Sequence, residues 1–289
     1  MQTPAPVDYA KATSVADALV LLQQHGEEAR VIAGGHSLLP MMKLRLARPD
    51  ALIDLNDIPE LTGVRVEGDE IVIGAMTRHR DILESAVLAE HYPIFREAER
   101  VIADPIVRNR GTIGGSMCHA DPSADLSAVG SALKGSAVLA GPSGSRTVPL
   151  REFHLGPYET VVAPGEILTE VRYPIRPGAG SAYEKVERRA GDWGVATSGV
   201  YVVVSGGVVT DCGIGLAAVG AHHYCSPEGE AALVGKEPTE ENLAAAAAAT
   251  AASCSPSADQ RGPVDYKLHL ANELTLRALR RAARASQGA

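Results

Sequence analysis

Two short glycine-bearing stretches carry the residue types and spacing that could do chemistry in this chain. The first is Ala33-Gly34-Gly35-His36-Ser37 and the second is Gly111-Thr112-Ile113-Gly114-Gly115-Ser116. Glycine accepts positive φ and lets another group approach the backbone closely, so successive N–H groups can turn toward one anion. Two such loops could close on a diphosphate from opposite sides, with the hydroxyls of Ser37, Thr112 and Ser116 as further donors. Two plain structural turns would use the same residues, and the residues alone leave both readings open. Neither stretch is the G-x-G-x-x-G dinucleotide fingerprint, and no G-K-[ST] follows a glycine run to make a P-loop. A dinucleotide here would need a different fold.

Other polar residues gather near these stretches. His36, His119, Asp121 and Asp125 offer nitrogen and oxygen atoms for a metal or for proton transfer, but caps and loop hydrogen bonds explain them more cheaply. No metal site and no catalytic residue is assigned. There is no G-x-S-x-G elbow. His222-His223 reads as a surface pair. Trp193, the single tryptophan, follows Arg188-Arg189-Ala190-Gly191-Asp192. It reads either as a core residue or as a stacking surface for a planar ring. The four cysteines, at 118, 212, 225 and 254, form no C-x-x-C pair. They read as buried free thiols in a reducing compartment rather than as zinc or iron–sulfur ligands.

The elements that must position these residues follow from periodicity and punctuation. A strand near Tyr9 precedes a helix capped by Thr13 or Ser14 and ended at Gly26. Val31–Ala33 and Leu52–Leu55 read as strands, and residues 64–66 and 71–73 as a hairpin. Thr77 is the expected cap of a helix over His79–Glu84, and Ile94–Ile102 is the next helix. Asp121 and Pro122 suggest the start of a helix running through Leu133. Strands follow at 137–139, 146–148 and 167–171, with Pro149–Phe153 expected as an exposed connection. Pro174–Gly180, dense in proline and glycine, is the expected boundary. Beyond it, strands at 181–186, 194–205 and 208–219 turn at Gly206-Gly207, and helices follow at 227–234, 240–252 and 266–284. That pattern predicts a small antiparallel sheet covered by helices, an α+β domain.

Composition narrows the class. A formal charge of −8 with no Lys/Arg block excludes a nucleic-acid groove. No apolar run reaches membrane-spanning length, and the start MQTPAPVDYAKATS has no apolar signal core, so a cytoplasmic location is expected, with association at the inner face of the membrane left open.

The flanks of the two glycine pairs carry a resemblance. Ala33-Gly34-Gly35-His36-Ser37-Leu38 continues through Leu39-Pro40-Met41-Met42-Lys43-Leu44-Arg45-Leu46-Ala47. Arg108-Asn109-Arg110 precedes the second pair, and His119-Ala120-Asp121-Pro122-Ser123-Ala124-Asp125 follows it. With Leu52–Asn56 and the last helix, these make the chain resemble the medium, FAD-binding subunit of molybdenum-containing hydroxylases of the aerobic carbon monoxide dehydrogenase and xanthine dehydrogenase family. The resemblance covers nearly the whole chain. It implies an α+β protein with an FAD-binding fold of the vanillyl-alcohol oxidase and p-cresol methylhydroxylase type. Two N-terminal subdomains, 1–56 and 57–177, would be followed by a C-terminal domain, 178–289.

It also implies roles. Residues 33–37 with Leu38, and 111–116, would wrap the diphosphate and ribityl of FAD through Ala33, Gly34, Gly35, His36, Ser37, Gly111, Thr112, Gly114, Gly115 and Ser116. His119, Ala120, Asp121 and Asp125 would adjoin the cofactor, with Asp125 bonding the ribityl or pyrophosphate side. Leu168 and Lys185 would lie near the isoalloxazine. Trp193 stands where many relatives have tyrosine, and Ser116 where Asn is common. The implied partners are a large subunit with the molybdenum cofactor and a small subunit with two [2Fe–2S] clusters, in a dimer of heterotrimers. An external acceptor, quinone, NAD or another carrier, would take the electrons. The alternatives are a stand-alone flavin oxidoreductase of the same fold and a flavin-free assembly subunit.

Overall fold

The computed structural model describes residues 3–288; Met1, Gln2 and Ala289, at the ends of the expected first and last units, lie outside them. The chain begins with β1 (Asp8–Lys11), α1 (Val15–His25), β2 (Ala29–Ile32), α2 (Leu38–Lys43) and β3 (Ala51–Asp54). The three strands form a parallel sheet in the order β1-β3-β2. Helix α1 forms where expected: Ser14 accepts from the Asp17 N–H at its start, and Gly26 ends it with φ 73°. Its apolar stripe, Ala18 and Leu22, lies against Ile53 and Leu55 in a small core that reaches Leu61 and Met76. Short parallel strands buried on one side leave their C-terminal ends free to deliver a loop, and the first glycine stretch leaves the end of β2.

The next unit runs β4 (Val64–Glu67), β5 (Glu70–Gly74), α3 (His79–Glu84), α4 (Ala86–His91), α5 (Ile94–Arg100), α6 (Pro105–Arg108), α7 (Ile113–His119) and α8 (Asp125–Ala132). It continues with β6 (Ser136–Gly141), β7 (Gly144–Pro149), α9 (Leu150–Phe153), β8 (His154–Gly156), β9 (Glu159–Thr160) and β10 (Ile167–Pro174). A five-stranded antiparallel sheet has the order β4-β5-β10-β6-β7, with Val171 opposite both Ile73 and Ala137. Tyr92, Phe95, Phe153 and Tyr173 are fully buried beneath it. Each fully buried side chain of this size contributes about 1.5–3 kcal/mol of burial.

The last unit comprises β11 (Ala179–Glu187), β12 (Gly194–Ser205), β13 (Val208–Ala217), α10 (Pro227–Leu233), α11 (Glu240–Ala252) and α12 (Val264–Ser286). Its antiparallel sheet, in the order β11-β12-β13, turns at Gly206-Gly207. One face is covered by α12 through Leu270, Leu274, Ala278 and Ala282. The other face receives α8. Gly213 and Gly215 on β13 leave no room for a Cβ against the backbone of Ala132 and Ala128, so the second and third units meet backbone to helix.

Several local expectations change. Thr77 does not cap α3: its hydroxyl bonds the backbone of Gly63, and the cap position belongs to Arg78. The second glycine stretch is not a loop after Thr112, because Ile113–His119 is helical. The helix expected from Pro122 starts three residues later at Asp125, with Asp121 instead accepting from the Ser123 N–H in a local turn. Pro149–Phe153 is no exposed connection. It holds α9, whose Leu150 and Phe153 are buried. Cys212, Cys225 and Cys254 are buried free thiols, whereas Cys118 is exposed. Trp193 is 43% exposed, so it is not a core residue. His222 is exposed, in keeping with a surface pair, while His223 is half-buried.

Candidate functional site

The three units meet around one cleft of about 810 Å³. That size lies in the range of small-molecule and cofactor sites. The first glycine stretch, the start of α7, the turn before α8, strand β10 and the β11–β12 connection all line it. Of the residues singled out in the sequence, Ala33, Gly34, Gly35, His36, Ser37, Leu38, Gly111, Thr112, Gly114, Gly115, Ser116, His119, Asp121, Asp125, Leu168, Lys185 and Trp193 all face this cleft. Ala120 does not. It is fully buried in a left-handed conformation (φ 53°) at the end of α7, where its N–H bonds the Met117 carbonyl.

The two glycine stretches touch. A Cβ on Gly34 would collide with the Arg110 carbonyl and lie 2.8 Å from the Gly111 Cα. Behind them runs a polar brace. Tyr9 donates to Asp54, and Asp54 Oδ1 accepts from the backbone N–H and the side-chain amide of Asn56 (2.8 and 2.5 Å). The same Asn56 amide reaches the Ala33 carbonyl at 3.0 Å. Arg78 donates to Asn56 Oδ1 (2.5 Å) and to the Arg110 carbonyl, so one side chain ties both stretches together.

Their backbone donors differ. Among the described residues, the N–H groups of Gly34, Gly35, His36, Ser37 and Leu38 have no protein acceptor. Gly35 has φ 77°, and a left-handed step inside such a segment turns successive N–H groups toward one side. The His36 ring folds back onto the Gly34 carbonyl at 3.0 Å, which shapes the turn. In the second stretch every donor from 113 to 116 is used. Ile113 N–H bonds Thr77 O and Gly114 N–H bonds Ala75 O. Gly115 N–H bonds the Thr112 hydroxyl, and Ser116 N–H bonds Thr112 O. Among the described residues the Thr112 N–H, alone in this stretch, has no protein acceptor, so most of the free donors for a diphosphate lie in the first stretch and one lies in the second. The second contributes surface: a Cβ on Gly115 would meet the Thr112 hydroxyl at 2.8 Å and Ala33 at 3.6 Å.

The far wall is ionic and buried. Lys185 Nζ lies 3.0 Å from Asp125 Oδ2, 2.9 Å from the Val101 carbonyl and 3.6 Å from Glu187. The Tyr183 hydroxyl donates to Asp125 Oδ1 at 2.5 Å. Burial pushes the Asp125 carboxyl above its ordinary range while Lys185 and Tyr183 pull it down. Burial and the adjacent carboxylate push the Tyr183 phenol well up, so it stays a donor. Asp121 accepts from the Tyr158 hydroxyl at 3.1 Å, and the His119 ring lies against the same tyrosine.

Sequence reasoning missed His79, Ile102, Val107, Cys118, Tyr158 and Asp192 on the lining. Most reach it by tertiary packing from outside the glycine stretches; Cys118 lies between recognised positions but carries no pattern of its own. Among the described residues no group of three or more His, Cys, Asp or Glu is arranged to hold a metal ion, and no helix is long and apolar enough to cross a membrane.

A cleft with a row of free backbone donors at one end and an apolar wall carrying a few fixed polar groups suits an anionic dinucleotide with a large ring. Comparison with known proteins agrees. Residues 5–176 match the family described as FAD binding domain in molybdopterin dehydrogenase, and residues 181–282 match the CO dehydrogenase flavoprotein C-terminal domain. The chain belongs to this family of FAD-binding medium subunits, and is an FAD flavoprotein subunit of an oxidoreductase complex. The carbon monoxide dehydrogenase medium chain of Hydrogenophaga pseudoflava is 45% identical over 277 residues, covering 96% of each chain. The nicotine 6-hydroxylase medium subunit of Paenarthrobacter nicotinovorans is 37% identical, covering 96% of this chain and 98% of its own. Among solved structures, a carbon monoxide dehydrogenase from H. pseudoflava that lacks the Mo-pyranopterin moiety of its molybdenum cofactor superposes with a TM-score of 0.95. It is 46% identical over 98% of this chain and 99% of its own. The α+β fold expectation and the FAD expectation both hold.

Proposed function

We propose that this chain is the electron-transfer subunit of a heteromeric molybdenum hydroxylase, in which bound FAD takes electrons from the [2Fe–2S] clusters of a small subunit and passes them to an external acceptor. Substrate oxidation belongs to a large subunit carrying the molybdenum cofactor, in a dimer of heterotrimers. The acceptor is a quinone, NAD or another carrier. The complex is placed in the cytoplasm, with the inner face of the membrane as the open alternative.

The chain's own residues bind, orient and exclude water. The N–H groups of 34–38 supply donors for the diphosphate, and the hydroxyls of Ser37 and Ser116 add to them. The Asn56–Arg78 brace fixes the distance between the two stretches. Leu168 and Lys185 form the wall for the ring, and Asp125, held by Lys185 and by Tyr183 behind it, serves the ribityl or pyrophosphate side, where low dielectric strengthens each polar contact. Half-exposed Trp193 offers a planar surface at the same wall. The division at 56 and 177 belongs to the same reading: each unit has its own main sheet, and the cofactor lies where all three meet.

The observation that carries this is the row of unpartnered N–H groups opening on a cleft that draws walls from all three units. The test is anaerobic reduction of the purified complex by its substrate. Flavin absorbance bleaches when the iron–sulfur subunit is present and stays oxidised when that subunit is left out. Bleaching at an equal rate without it favours the stand-alone reading, in which the chain oxidises a substrate directly.

A further inference from the structure

Glu99 is fully buried on α5, and the mechanism above gives it no role. Its two carboxylate oxygens lie 3.0 and 3.1 Å from one atom, Nδ1 of His79. His79 is only 5% exposed and lines the cofactor cleft beside Gly111, whose Cβ would fall 2.8 Å from the His79 ring. Among the described residues the other ring nitrogen, Nε2, has no protein partner.

The proton count of the pair decides what Nε2 offers. Leaving a net negative charge on a fully buried pair is costly, so the neutral pair is favoured. It can be drawn in two ways, as carboxylate with imidazolium or as carboxylic acid with neutral imidazole. In the first, both ring nitrogens carry protons. In the second, the acid donates to Nδ1 and the ring proton sits on Nε2. Both forms leave Nε2–H as a donor. Burial pushes the Glu99 carboxyl above its ordinary range, against the pull of His79, and Asp125 and Arg108 act on it in opposite directions.

We propose that His79, held by Glu99, donates its Nε2–H to a negatively charged acceptor of bound FAD and so acts as a binding residue. The proposal rests on the FAD reading. Two acceptors share the chemistry: a diphosphate oxygen, and the flavin ring edge that gains negative charge on reduction.

The test uses the full chain stripped of flavin and compares wild type with His79→Asn and Glu99→Gln. An Asn amide nitrogen can take the place of Nδ1 and keep the bond to Glu99, while removing the donor at the cleft. Three quantities are read: affinity for FAD and for riboflavin, the two-electron midpoint potential of the bound flavin, and thermal stability of the flavin-free chain. For a diphosphate acceptor, His79→Asn weakens FAD binding about ten- to a hundredfold, leaves riboflavin unchanged and does not move the potential. For the ring, oxidised FAD binds as before and the potential falls by about 30 mV per tenfold loss of preference for the reduced form. Glu99→Gln, whose amide N–H can donate to Nδ1 and so keep the ring proton on Nε2, moves the same quantity less than His79→Asn does. Wild-type affinity and potential retained in His79→Asn overturn the proposal. Failure of the wild-type chain to bind FAD overturns instead the reading on which it rests.

Discussion

The two glycine stretches look alike in sequence and do opposite work. In the first, five consecutive N–H groups from Gly34 to Leu38 find no acceptor among the described residues. In the second, Gly111 and all four from Ile113 to Ser116 are satisfied inside the fold, Thr112 alone is left free among the described residues, and Gly114 lets α7 sit against Ala75. A glycine pair therefore shows only that the backbone comes close to something. Whether that something is a ligand or the rest of the protein is decided by where the hydrogen bonds go.

The largest expected effect breaks the scaffold side. A Cβ at Gly114 would lie 2.7 Å from both Cβ and O of Ala75. Gly114→Val should cost about 3 kcal/mol or more, since backbone cannot yield as a side chain can. The loss is expected in urea or thermal unfolding of the flavin-free chain, before any cofactor is added. Flavin-free stability equal to wild type, with only FAD binding lost, would move Gly114 to the ligand side.

Acid should loosen the same side next. His154 Nε2 lies 3.1 Å from the Met117 carbonyl on α7, and its buried Nδ1 has no partner among the described residues. Burial pushes its pKa down to about 4 from an ordinary 6.5. The folded state therefore resists a proton that the unfolded state accepts. Its stabilising contribution is complete above pH 6.5, falls by about 3 kcal/mol as pH drops from 6.5 to 4, and changes little below that. His154→Gln should flatten the stability–pH profile across that window relative to wild type. An unchanged slope contradicts the assignment.

The smaller stability effect sharpens the ligand side. Gly35 needs its left-handed φ, and a side chain there meets the end of Leu39 at 2.9 Å. Gly35→Val should cost the flavin-free chain about 1–3 kcal/mol in strain, less than Gly114→Val, yet weaken FAD by more than that strain accounts for because the donor row is bent out of shape. FAD titration set beside flavin-free unfolding separates the two terms.

Much of this could be read from the sequence because local rules agreed. Ser14 and Gly26 bound α1, Gly206-Gly207 turn β12 into β13, and the flanks of both glycine pairs carried the family resemblance. The exceptions have physical causes. Residues 113–119 contain two glycines, poor helix formers, and become helical because Thr112 caps them and Ala75 accepts the Gly114 N–H. Leu150–Phe153 reads as connection until Phe153 finds the core. Ala120 belongs to a stretch that faces the cleft on either side of it, yet serves as a left-handed helix end. The His79–Glu99 pair spans 20 residues and no local pattern announces it.

Hydrogen–deuterium exchange reads the two rows of amide hydrogens directly. In the flavin-free full chain, amides 34–38 should exchange fast and amides 113–116 slowly. Adding FAD should protect 34–38 strongly and leave 113–116 nearly unchanged. Protection that FAD confers on 113–116 while 34–38 stay exposed to exchange would contradict the account.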